Sequence, residues 1–86
     1  DLNPNAAELL YALGKAYGFQ KKYPMARGCF ERAARLTPFD AELYFEMGLI
    51  DERLGRYGDA RKNFEKAVKF NPRHEGARRR LGLLER

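Results

Sequence analysis

A chain of 86 residues with 44% apolar side chains, 34% charged side chains and a net charge of +5 is one small soluble domain, of a size at which a single core is marginal without regular packing. Its one cysteine, Cys29, excludes an intramolecular disulfide. No apolar run approaches the roughly 20 residues needed to cross a bilayer.

Punctuation organises the rest. Asn3-Pro4, Thr37-Pro38 and Asn71-Pro72 recur every 34 residues, and laying residues 7–40 over 41–74 without a gap gives eleven identities. The first predicted helix, 5–18, sets Leu9, Leu10, Leu13, Ala16 and Tyr17 at steps of three and four. A break at Gln20 to Lys22 precedes a second helix, 22–35, with Ala26, Cys29, Phe30, Ala33, Ala34 and Leu36 in the same period. Pro24 falls in its first turn, where a missing N–H leaves no bond unmade. Thr37-Pro38 turns the chain into a third helix, 39–52, carrying Leu43, Tyr44, Met47 and Ile50. Gly55 suits the left-handed residue that ends a helix, and Lys21 occupies the equivalent place at a modest strain. A fourth helix, 56–69, presents Ala60, Phe64, Ala67 and Val68. After Asn71-Pro72 a fifth, 73–85, keeps an apolar stripe of Ala77, Leu81 and Leu84 beside Arg78, Arg79 and Arg80.

These residues resemble the tetratricopeptide repeat, whose pattern runs W-x2-L-G-x2-Y, A-x3-F, an alanine and a closing proline. The first copy reads Leu10, Leu13-Gly14, Tyr17, Ala26, Phe30, Ala33 and Pro38. The second reads Tyr44, Met47-Gly48, Asp51, Ala60, Phe64, Ala67 and Pro72. Asp51 departs sharply, standing where a tyrosine would pack between helices. The expected architecture is an all-α solenoid of antiparallel helix pairs in a right-handed superhelix. It divides into a repeat at 3–40 with its leading turn, a repeat at 41–74, and a terminal segment at 75–86 that is either a cap or the start of a third repeat. Gly14, Gly48, Ala26 and Ala60 let paired backbones approach, and Phe30 and Phe64 fill the space between repeats.

No catalytic constellation, cofactor motif or metal-ligand set assembles from the sequence. His74 reads as a solitary exposed turn residue, and no glycine loop cradles a phosphate. Glu46, Asp51 and Glu52 on one helix could hold a divalent ion, but read better as a solvated face paired with Arg53 or Arg56. Arg73, Arg78, Arg79, Arg80 and Arg86 could touch phosphates. The acidic middle of the chain interrupts any basic track, so nucleic acid is not the expected partner.

The resemblance implies a module that binds a protein or peptide on a concave face lined by the first helix of each repeat. The residues carried over to that groove are Tyr11, Lys15, Phe45 and Leu49, continued by Arg79 and Leu83; Tyr11 and Phe45, equivalent by repeat, either form an apolar anchor or pack against neighbouring helices. Some family members clamp chaperone carboxylates with lysine, asparagine and arginine; the matching places here are Tyr11, Lys15, Glu46, Gly76 and Arg80, a poor set for that task. Leu83 beside Leu84 also allows self-association through the terminal helix, which makes an assembly element the alternative function. A chain that opens at Asp1 reads as a stretch of a longer protein, and its compartment stays open.

Overall fold

The computed structural model describes residues 6–84 and consists, over those residues, of five helices: α1 (Ala6–Phe19), α2 (Tyr23–Leu36), α3 (Ala41–Arg53), α4 (Tyr57–Phe70) and α5 (Glu75–Leu84). Each helix packs chiefly on its chain neighbours, α1 on α2, α2 on α3, α3 on α4 and α4 on α5. The result is an elongated slab of 45 × 27 × 16 Å. The expected boundaries agree with those observed to within two residues. The leading Asn3-Pro4 turn lies outside the described residues, as does Arg86.

Local chemistry explains the helix ends. Asp40 caps α3 by accepting a hydrogen bond from the Leu43 N–H, which satisfies one of the donors a helix start leaves open. Thr37 closes α2 by donating its hydroxyl to the Ala33 carbonyl. Lys21 and Gly55 both adopt positive φ, 62° and 76°. In each case the following N–H reaches back, from Lys22 to Tyr17 O and from Arg56 to Asp51 O. The two copies therefore terminate their first helices identically, although only one has a glycine to do it without strain.

The core is a small-on-large joint made twice. A Cβ added at Gly14 would lie 2.6 Å from the Phe30 ring, and one at Gly48 would lie 2.5 Å from the Phe64 ring. Ala26, Ala33, Ala60 and Ala67 are fully buried around them. The phenylalanines expected to fill the space between repeats thus first close the joint inside their own helix pair. Leu43, Tyr44, Met47 and Ile50 then complete one continuous core across the two pairs. Their counterparts on α1 pack against no earlier helix among the described residues: Leu9 is 60% exposed where Leu43 is 1%, and Leu13 is 44% exposed where Met47 is 7%.

Asp51 overturns its expected solvated setting. Its side chain is fully buried, with Arg27 Nε at 2.6 Å from Oδ1 and Asn63 Nδ2 donating to Oδ2 at 2.7 Å. Arg27 also holds Glu31 at 2.8 Å and reaches Asp59 at 3.7 Å. The partners come from α2 and α4 rather than from Arg53 or Arg56, because this part of α3 faces the two flanking helices. The network ties three helices together. Breaking a buried pair from one side typically costs about 3–5 kcal/mol, since the remaining charge stays dry.

Gly48→Ala is expected to destabilise the fold by about 1–3 kcal/mol through overpacking against the buried Phe64 ring. Gly82→Ala, at the equivalent place on α5 with nothing within 4 Å of the added Cβ, is expected to stabilise it by up to about 1 kcal/mol through helix propensity. Urea denaturation of the two variants checks the contrast, and equal midpoints would contradict the joint.

Candidate functional site

A groove of about 620 Å³ runs between α1 and α3 and reaches α5. Its floor includes Gly14, Phe30 and Ile50, and its walls carry Lys15 and Phe19 from α1, Leu49 and Arg53 from α3, and Arg80 from α5. Tyr23 and Tyr57, the opening residues of α2 and α4, complete one lip. Phe19 is 84% exposed and Tyr57 59%, so both rings are available to a ligand without cost to the core. A second cavity of about 310 Å³ lies at the other end of α1 and α3, bordered by Ala7, Glu8, Tyr11, Thr37, Asp40, Glu42 and Leu43.

The structure separates the residues that the sequence grouped. Lys15 and Leu49 line the large groove. Tyr11 lies half-buried with its ring 5.9 Å from Phe30, and Phe45 repeats that contact on Phe64 at 5.9 Å. The backbone of Gly76 comes close over Phe45, and the His74 ring sits 4.6 Å away. Both rings therefore pack on neighbouring helices and brace the groove's helices instead of standing free as anchors. Arg79 and Leu83 are solvent-exposed on α5 and do not line the groove, whereas Arg80 does. The aromatic lip of Phe19, Tyr23 and Tyr57 escaped the sequence reading. Its signal was present, because Tyr23 and Tyr57 are one of the eleven identities between copies.

His74 is likewise not the exposed turn residue expected. The Ala77 N–H donates to its Nδ1 at 3.1 Å, capping α5, which leaves Nε2 as the protonated nitrogen that donates to Glu42 at 2.8 Å. Glu52 takes two bonds from Arg80, at 3.0 and 2.6 Å. With Asp51 held by Arg27, Glu42, Asp51 and Glu52 of α3 point to three different partners. Among the described residues no three metal-ligating side chains converge.

Electrostatically the two ends differ. Around Tyr11, burial and the carboxylates of Glu46, Glu42 and Asp40 push the phenol well above its usual range, so it stays a hydrogen-bond donor, with its O–H 3.5 Å from Glu46 Oε2. Burial first, then Glu42, raises the Glu46 carboxyl, while Lys15 works against the shift. Lys15 also lies 5.5 Å above the Tyr11 ring. At the aromatic end, Arg53 has no ion-pair partner among the described residues.

A model of the tetratricopeptide repeat matches residues 7–40 and 41–74. The mouse protein described as BBSome complex member BBS4 is 30% identical over 70 residues, 81% of this chain and 14% of that protein. The crystal structure of MamA superposes with a TM-score of 0.91 at 28% identity, over 96% of this chain and 48% of MamA. The first tetratricopeptide domain of Spaghetti (RPAP3), bound to the HSP90 peptide SRMEEVD, superposes with a TM-score of 0.90 at 24% identity, over 96% of this chain and 66% of that one. The chain thus spans less than two thirds of each of these proteins.

Because the folded state raises the Glu46 pKa, ionising this carboxyl costs more in the folded than in the unfolded chain. Its contribution to stability is therefore lost as pH rises from its ordinary value, about 4.3, through the folded one. Glu46→Gln is expected to melt above wild type at pH 7, with the gain vanishing toward pH 3. Thermal melts across that range check it, and a pH-independent difference would contradict the assignment.

Proposed function

The chain belongs to the tetratricopeptide repeat family, a protein-interaction scaffold that is typically non-catalytic, and on that premise we propose that the α1–α3 groove binds an extended segment or a helix of a partner protein. The observation that carries this reading is the lip. Phe19 and Tyr57 are large, exposed and unused by the core, and they border a groove of about 620 Å³. Rigid aromatic side chains beside a concave apolar floor are where binding energy concentrates. Phe30 and Ile50 supply that floor, Leu49 extends the apolar wall, and Lys15 and Arg53 set polar contacts along its edge.

The partner differs in chemistry from the acidic peptide held by the Spaghetti domain. Of the clamp positions, Tyr11 and Gly76 bring no cation. Arg80 is already committed to Glu52. Glu46 presents a half-buried carboxylate that repels another. The groove favours a segment with an apolar or aromatic side chain for the lip and no terminal carboxylate at Glu46.

Peptides selected on this chain from a displayed random library provide the test. They are expected to bind the wild type saturably and to lose about tenfold or more affinity on the Phe19→Ala/Tyr57→Ala chain, with the melting temperature unchanged. Phe39→Ala, which removes an exposed ring outside the groove, is expected to leave binding intact. Equal affinity for the wild type and the double variant would overturn the proposal.

A further inference from the structure

We propose that the segment held in the α1–α3 groove carries acidic residues on one side of its apolar anchor, and that Lys21, Lys22, Arg53 and Arg56 receive them just beyond the lip. The inference rests on the groove reading above and adds to it the partner's charge pattern and the direction in which it lies.

The repeat places these cations. Lys22 and Arg56 correspond at 34 residues, directly before Tyr23 and Tyr57, and Arg53 corresponds to Phe19. Because successive helices alternate in direction, the turn from α1 to α2 and the turn from α3 to α4 meet at one edge. Phe19, Tyr23, Arg53 and Tyr57 accordingly line the same groove. Lys21, Lys22 and Arg56 lie within those turns, outside the lining, and are exposed. None of the four cations has an ion-pair partner among the described residues. The acids of the adjoining helix ends are engaged elsewhere: Glu52 holds Arg80, and Asp51 and Asp59 face Arg27. Positive charge therefore borders the aromatic lip with no counterion from the chain, and a carboxylate beside a lip-bound ring meets it at the rim.

The far end has the opposite sign. Glu8, Asp40 and Glu42 border the second cavity, and Glu46 both lines the groove and accepts from Tyr11. An acidic side chain is repelled there and attracted at the lip, so the difference orients the segment. It also selects a protein segment over single-stranded nucleic acid. Rings and cations at the lip suit bases and phosphates, but a chain of regularly spaced phosphates would run onto Glu46 and Glu42. The cations stand on the turns and not at the clamp positions, so acids beyond the lip agree with a segment that keeps carboxylates away from Glu46.

The probes are peptides selected on this chain from a displayed random library, kept only where the Phe19→Ala/Tyr57→Ala chain binds them more weakly, so that every probe is a groove ligand. They are expected to carry Asp or Glu on one and the same side of their apolar anchor. A Lys21→Asn/Lys22→Gln/Arg56→Gln chain leaves the groove lining intact, and asparagine suits the positive φ of residue 21. These surface changes are expected to leave the melting temperature unaltered. At low salt this chain is expected to bind the acidic peptides about tenfold more weakly, at about twofold for each exposed pair, and high salt is expected to erase the difference. Peptides with those acids changed to amides are expected to bind both chains equally. A spin label at the acidic end is expected to broaden the amide resonances of Lys22 and Arg56 and to spare those of Tyr11 and Glu42. Groove ligands without acids, undiminished binding by the triple variant, or a label that broadens Tyr11 and Glu42 would overturn the charge pattern and leave the groove reading standing. Selected peptides all indifferent to Phe19→Ala/Tyr57→Ala would overturn both. A single-stranded oligothymidine that binds more tightly than the peptides and loses affinity on the triple variant would assign the cations to nucleic acid and overturn the acidic segment.

Discussion

A phenyl ring can lie against the backbone of a facing helix only where that helix offers no Cβ. In this chain the condition is met at Gly14 and Gly48, and the rings of Phe30 and Phe64 occupy the space so released. That close approach decides much else. It draws each antiparallel pair together, buries the alanines that flank the rings, and fixes where Tyr11 and Phe45 must lean. It also sets the floor of the groove, since Gly14 and Phe30 are part of its lining. The glycines lower helix propensity by about 1 kcal/mol each, and the packing they permit more than offsets this.

A second device sits between the pairs. Where the first copy has Tyr17, the second has Asp51, and the buried carboxylate gathers Arg27 from α2 and Asn63 from α4. An aromatic ring at this place would join neighbouring repeats by area alone, whereas the carboxylate demands donors in particular directions. The arrangement makes the junction specific to these two repeats in this order. Arg27 is held by Asp51, Glu31 and Asp59 together, and Asp51 foremost keeps its guanidinium protonated more firmly than usual.

The helices and their joints were legible in the sequence because they rest on local periodicity and on a repeat that states each rule twice. The positive φ of Lys21 followed from its alignment with Gly55 alone. What escaped depends on partners distant in sequence. Asp51 reads as a surface acid until Arg27 and Asn63 are placed beside it. His74 reads as an exposed turn residue until its ring is seen to cap α5 and reach Glu42. The groove shows the same division: Lys15 and Leu49 line it, whereas Tyr11 packs on Phe30 and Phe45 packs on Phe64 and beneath Gly76 and His74. The free aromatics, Phe19 and Tyr57, lie at helix ends, where periodicity says least.

The proposed binding surface is one that the joints create and floor. In that proposal the pairs supply rigidity, the lip of exposed rings affinity, and the uneven charge along α1 and α3 selectivity. All of this requires that glycine and ring act as a unit. A double-mutant cycle on Gly48→Ala and Phe64→Leu, followed by urea denaturation, measures that coupling directly. The smaller leucine relieves the clash of the added methyl, so the predicted coupling is about 1 kcal/mol or more in favour of the double variant. Strict additivity of the two changes would contradict it.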